Sequence, residues 1–350
     1  MKRGRGTLVS GAIILALFTG FSLIHIAGGP SRLAYYILHL DVYALLAMLA
    51  LLGGEMIRAI RLVLLGKSEG ARMSYTTALL ARLIGRFFGI LTPAYTGATP
   101  ARAAVIASYT EISMGESFAI ATLESLFDVF LPVFITLILT IPFLPATWLP
   151  FTVSLFIAGM WLAGLSWARS NRFASSMNRL FRGKRRKYLC YMLQQRDLFF
   201  KTFGELSRKP LLLATGLLLT IAAHIVESVS IILLAHGLTE IINLSSVIRA
   251  FLAMEVSHVM VMTPTPGGAL FFEYGLVGIL SSGVLVVWRI TFIVFSLLPG
   301  ILLVTVAKRA KAYIEEGVKR EVSACDEEDY ILRYARTPPR VQPRGVRGAG

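Results

Sequence analysis

The candidate functional residues are ionisable side chains inside otherwise apolar stretches: Arg102, Glu124, Asp128, His224, Glu227, Glu255, His258, Glu273 and Arg289. A charge at the centre of a bilayer costs roughly 2.5–3.5 kcal/mol on insertion scales, so such residues face a partner or a cavity and mark function by default. Arg102 and Arg289 can attract an anionic head group, with Glu124, Asp128 and Glu273 balancing them when the site is empty. The competing reading makes the same residues structural ion pairs. His224 and Glu227, like Glu255 and His258, are three residues apart, which puts each pair on one helical face. They could ligate a metal or hydrogen-bond as imidazole and carboxylate. Two histidines without a neighbouring cysteine favour hydrogen bonding, and no metal, cofactor or catalytic residue is assigned. Thr96-Gly97-Ala98-Thr99 lacks the lysine of a phosphate loop.

The elements that must position these groups meet at a repeated corner. Thr92-Pro93-Ala94-Tyr95-Thr96-Gly97-Ala98 recurs 171 residues later as Thr263-Pro264-Thr265-Pro266-Gly267-Gly268-Ala269. Aligning Pro93 with Pro264 and Gly97 with Gly268 sets Arg102 opposite Glu273. The repeat therefore predicts an Arg102–Glu273 pair across a pseudo-twofold, with Glu124 or Asp128 meeting Arg289 as the second.

Of the 350 residues, 55% are hydrophobic and 16% charged, with the apolar ones in long blocks. This is the pattern of an all-α, polytopic membrane protein. The net charge of +15 falls in the ends and one central segment between apolar spans, which reads as a topology signal rather than a nucleic-acid site. Full spans are expected at residues 7–27, 42–65, 116–141, 151–167, 211–235 and 284–307. Glu55, Arg58 and Arg61 in the second span are expected to snorkel to the cytoplasmic surface. The two corners become re-entrant hairpins, because the leg Pro100–Tyr109 is too short to cross. Pro93, Pro264 and Pro266 interrupt helical hydrogen bonding there, and Gly97, Gly267 and Gly268 permit tight turns. Charge sidedness places both termini in the cytoplasm and sends the hairpins in from opposite faces, an inverted repeat of transporter type. Charge would be equally satisfied if each hairpin were two full spans.

Residues 1–307 are thus expected to form the membrane domain. Within it, 169–209 is a basic amphipathic cytoplasmic segment that could rest on anionic head groups. Residues 308–350 form a largely disordered tail. Cys190 and Cys325, both in basic segments, are expected as reduced thiols.

Arg58-Ala59-Ile60-Arg61, Leu91-Thr92-Pro93, Gly97-Ala98-Thr99-Pro100-Ala101-Arg102-Ala103, the Glu124–Asp128 stretch, Pro264–Gly268, Glu273 and Arg289 together carry a resemblance. It covers most of residues 40–307. The chain resembles the family that contains the transmembrane, flippase-like region of lysylphosphatidylglycerol synthases. In that family the first corner commonly reads Gly-Gly-Glu-Pro-x-Arg-Ala, whereas this chain has Thr99 at the acidic position. An Arg usually follows Glu124, and here Ser125 stands. The resemblance implies binding or translocation of a lipid-like anionic substrate in the cell membrane. It argues against lysyl transfer, since no extramembrane stretch is long enough for the aminoacyl-transferring domain. An intramembrane lipid-modifying enzyme and a scaffold for a glycosyl- or lipid-modifying partner are the alternatives.

Overall fold

The computed structural model describes residues 2–38, 41–110, 112–141, 144–170 and 186–303, with Val306, Arg309 and Tyr313. Among these the chain is all-helical apart from turns and two isolated β-bridges. The order is α1 Lys2–Ala27, α2 Pro30–Leu38, α3 Val42–Ser68, α4 Tyr75–Leu91, α5 Ala98–Tyr109, α6 Met114–Thr140, α7 Leu144–Arg169, α8 Arg186–Leu206, α9 Pro210–Gly237, α10 Leu244–Met260, α11 Phe271–Leu276 and α12 Ser282–Leu297. A 3-10 turn, Leu298–Leu302, follows α12.

Five helical stretches are long and apolar enough to cross a membrane: Val9–Ala27, Met114–Thr140, Trp148–Arg169, Pro210–Gly237 and Ser282–Leu302. Helix α3, although 27 residues long, carries Glu55, Arg58 and Arg61 in its body and offers a long enough apolar stretch only together with α2, from which it bends by 76°. Outward-facing Leu17, Phe21, Leu155, Phe156 and Leu218 remain exposed, the surface expected where acyl chains are the solvent. The chain is a multi-pass membrane protein.

Helix ends follow local chemistry. Asp41 caps α3 by accepting from the Tyr43 amide at 2.9 Å. Ser113 and Glu116 form a reciprocal capping box at α6, and Asn243 with Ser246 does the same at α10. Pro210 opens α9 where no amide donor is needed.

The core has two apolar clusters. One contains Leu51, Val129, Val133, Ile231 and Leu234; the other contains Ala59, Leu62, Ile120, Ala121 and Leu123. On α3 and α6 the buried charges Glu55, Arg58, Glu124 and Asp128 lie between these clusters. A polar layer is thus sandwiched between apolar ones, far from either end of its helices.

The two repeated corners meet. Pro93 and Pro266 form an antiparallel bridge, and the Ala94 amide donates to the Thr263 carbonyl at 2.9 Å. Gly268, at φ +70°, has room for no side chain: a Cβ would lie 2.2 Å from the Met260 carbonyl oxygen. Gly97 serves differently from expectation. Its φ is −75°, and the left-handed positions of the first corner are Ala94 and Tyr95. What requires glycine at 97 is close approach, because a Cβ would stand 2.8 Å from the Phe88 carbonyl oxygen.

Of the expected basic segment, α8 is described and residues 171–185 lie outside the described residues. The expected tail, residues 308–350, lies outside them too, apart from Arg309 and Tyr313. Cys190 is disulfide-bonded, which corrects the expectation of a reduced thiol; that expectation came from sidedness, which says nothing about proximity in the fold. Cys325 lies outside the described residues.

Candidate functional site

The polar layer is a network of five arginines and four carboxylates drawn from five helices. Helix α3 supplies Glu55, Arg58 and Arg61; the first hairpin supplies Arg82 and Arg86 from α4 and Arg102 from α5; α6 supplies Glu124 and Asp128, and α9 supplies Glu227. Arg58 grips both oxygens of Glu227, with Nη2 donating to Oε2 at 2.7 Å. Arg61 Nη2 donates to Glu124 at 2.6 Å and Asp128 at 2.7 Å, and its Nη1 donates to Thr220. Arg82 spans Glu55 at 2.8 Å, Glu124 at 2.6 Å and Asp128 at 2.5 Å. Arg86 donates to Glu55 at 2.8 Å and Ser296 at 3.0 Å, and its guanidinium lies over the Phe292 and Phe295 rings. Arg102 donates to Glu124 at 2.5 Å and Ser125 at 3.1 Å.

All nine side chains are buried. Such a layer is poor glue, because desolvating this many charges offsets most of the attraction between them. Five guanidinium groups meet four carboxylates in this network, and a fifth buried acid, Glu255 of α10, lies beside it on His224. Donors are also left over: Arg86 Nη2 and Arg102 Nε have no hydrogen-bond partner among the described residues, and Arg58 Nε makes only a 3.3 Å ion-pair approach to Asp128. These three arginines and Arg82 line a chamber of about 60 Å³ with Glu55, Asp128, Tyr95, Trp161 and His258, room for a few waters or a small oxyanion group. A surplus of buried cationic donors around a cavity suits an anion.

Next to the chamber, between α5, α6, α7 and α8, runs a groove of about 740 Å³ lined chiefly by apolar groups such as Phe118, Ile157, Met160, Leu165 and Phe199. Ala94, Tyr95, Thr99, Trp161 and Met262 line both spaces. The first corner thus supplies the partition between a charged compartment and an apolar one. Tyr95 reaches its place because Gly89 leaves room for its ring.

The expected pairings are rearranged. Arg102 bonds Glu124, not Glu273, while Glu273 bonds Arg289 at 2.6 Å. Neither Glu124 nor Asp128 meets Arg289. The equivalence of Arg102 and Glu273 in the repeat is real as sequence, but each finds its counter-ion on the span that packs beside its own hairpin. Arg289 also donates to the Gly267 carbonyl at 2.9 Å and lies over Phe272, so it clamps the second corner. Neither Arg289 nor Glu273 lines the chamber.

Glu55, Arg58 and Arg61 are likewise not snorkelling. They are about 1% exposed, because acids on α6 and α9 offer partners that periodicity along α3 alone does not reveal. Arg82 and Arg86 were visible as an i,i+4 pair in an apolar hairpin leg; that spacing is the signal that could have placed them in the site.

The histidine–glutamate pairs form between helices rather than within them. His224 of α9 contacts Glu255 of α10 at 2.9 Å, and His258 of α10 contacts Glu227 of α9 at 2.9 Å. The two rings stack with centroids 4.7 Å apart. His224, Glu227 and His258 bring ligand-type atoms within 4.8 Å of one another. Glu227, however, already accepts from Arg58 at both oxygens, which commits it to ion pairing.

The two positions at which the chain departs from the resembled pattern touch each other. Thr99 and Ser125 hydroxyls are 2.9 Å apart. Both hydroxyls line the chamber wall.

No curated protein and no solved structure matches this chain. The family model described as Lysylphosphatidylglycerol synthase TM region matches residues 6–300, a range that takes in α3, both corners, the arginine chamber and the Arg289 clamp; the chain belongs to that family.

Proposed function

We propose that this protein binds a membrane lipid with an anionic head group and carries it across the bilayer. The head group enters the arginine chamber while its tails lie in the adjoining groove. The observation that carries this reading is the shared wall: a compartment lined by four buried arginines shares Tyr95, Thr99 and Trp161 with an apolar groove of about 740 Å³. A soluble anion needs no such groove, and an apolar ligand needs no arginines. The name of the family supports a lipid reading.

Arg102 is the residue assigned to the head group, with Asp128 and Glu124 holding it in place between transport events. Arg289 and Glu273 hold the second corner. Translocation follows if the two hairpins, which touch at Pro93 and Pro266, belong to inverted halves that rock about that contact. The topology that goes with it has both termini in the cytoplasm of a cell-membrane protein, a membrane domain over residues 1–307 and a tail over 308–350.

Reconstitution tests the reading. Wild-type protein in liposomes should expose an inner-leaflet fluorescent phosphatidylglycerol to an outside quencher faster than empty liposomes do, and Arg102→Ala should remove the gain. Undiminished transport by Arg102→Ala would sink the assignment.

A further inference from the structure

Glu255 differs from the other carboxylates of the buried layer. Glu55, Glu124, Asp128 and Glu227 each meet at least one arginine, and Glu273 meets Arg289. Glu255 is fully buried, and among the described residues its one ion-pair partner is His224, whose Nδ1 lies 2.9 and 3.0 Å from the two carboxylate oxygens. With a neutral imidazole this pair carries one negative charge that no arginine contacts directly, and one additional proton, on either member, neutralises the pair.

The pair is joined to the chamber. His258 stacks on His224 at 4.7 Å, lies 3.3 Å from Arg58 Nη2 and lines the chamber wall. Every element packed around the two rings contributes to their field. Helix α9 brings Glu227; α10 brings Glu255; α3 brings Arg58, Arg61 and Glu55; α4 brings Arg82 and Arg86, the latter 3.9 Å from Glu227; α5 brings Arg102; α6 brings Glu124 and Asp128. Helix α12 brings Trp288, whose indole donates to Ser257, while its Arg289 is spent on Glu273. With both imidazoles neutral, five arginines and five carboxylates, Glu255 included, balance. A single-charge anion entering the chamber breaks that balance, and one proton restores it. The fully buried Nε2 of His224, which has no hydrogen-bond partner among the described residues, can change its protonation without breaking a bond seen there.

We infer that the His224–Glu255 pair takes up a proton when an anionic lipid occupies the arginine chamber, so that substrate binding is proton-linked. The inference rests on the proposed anion site. Linkage is reciprocal: if the anion draws in a proton, acidification tightens anion binding, by up to about tenfold per pH unit for one linked proton.

Calorimetric titration of the full chain in detergent with dihexanoyl phosphatidylglycerol tests this, since a phosphodiester stays ionised from pH 5.5 to 8. Runs in two buffers of different ionisation heat count the protons. The wild type should take up a proton fraction of about one half or more per lipid within that range. Glu255→Gln, a neutral carboxamide of the same shape, should bind the lipid with no proton uptake and no pH dependence. Wild-type binding that is flat from pH 5.5 to 8 overturns the inference and leaves the anion site standing. Unchanged uptake by Glu255→Gln also overturns it. Absence of lipid binding by the wild type at every pH removes the anion site and this inference with it. The wild-type profile decides the matter even if the variant does not fold.

Discussion

Replacing Glu273 with Gln separates a clamp from a ligand site. Glu273 and Arg289 are both fully buried, joined at 2.6 Å, and Arg289 continues to the Gly267 carbonyl at 2.9 Å. The carboxamide keeps the shape and can still accept from Arg289 Nε, so the perturbation is the loss of one counter-charge. An arginine left uncompensated in the interior costs about 3–5 kcal/mol. At roughly 2–4 °C per kcal/mol for a domain of 150–250 residues, the drop in Tm is on the order of 10 °C. Removing both charges as Glu273→Leu with Arg289→Met should recover at least half of that loss, because a buried pair replaced by apolar groups of similar size is often neutral. Thermal unfolding of purified protein in one detergent, followed by tryptophan fluorescence, measures both variants against the wild type. Liposome transport of the double variant supplies the second readout. A Tm within about 2 °C of wild type for Glu273→Gln, or a stable double variant that no longer moves lipid, would refute the clamp and return these residues to the substrate site.

The Thr99–Ser125 contact predicts a cycle. Ser125→Arg alone should lower stability by about 3–5 kcal/mol through one further buried cation beside Arg102, and adding Thr99→Glu should restore it; a double variant no more stable than Ser125→Arg in denaturation midpoint would contradict the pairing. Gly164 lines the groove, and a Cβ there meets nothing within 4 Å. Gly164→Leu should therefore keep or raise stability by up to about 1 kcal/mol, the helix propensity of glycine being the poorer, yet slow lipid transport by narrowing the groove. Unaltered transport would mean that the tails do not lie there.

The all-helical, multi-pass architecture was legible in the sequence because burial in lipid requires long apolar blocks with internally satisfied backbones, and both are properties of contiguous residues. The corners were legible for the same reason. Pro93, Pro264 and Pro266 with their neighbouring glycines break helices locally, whatever surrounds them. Arg102, Glu124 and Asp128 were legible as charges out of place. What they bond was not, because a counter-ion is chosen across helices: Arg61 finds an acid 63 residues away, and Arg58 finds one 169 away. The repeat suggested Arg102 with Glu273, and packing gave each a nearer partner. The groove was wholly a tertiary result, since Phe118, Trp161 and Phe199 carry no mark that distinguishes a cavity wall from a lipid-facing surface. Sequence determined which residues must not face lipid unaided; only the packing of α3, α4, α5, α6 and α9 decided that they face one another around a chamber.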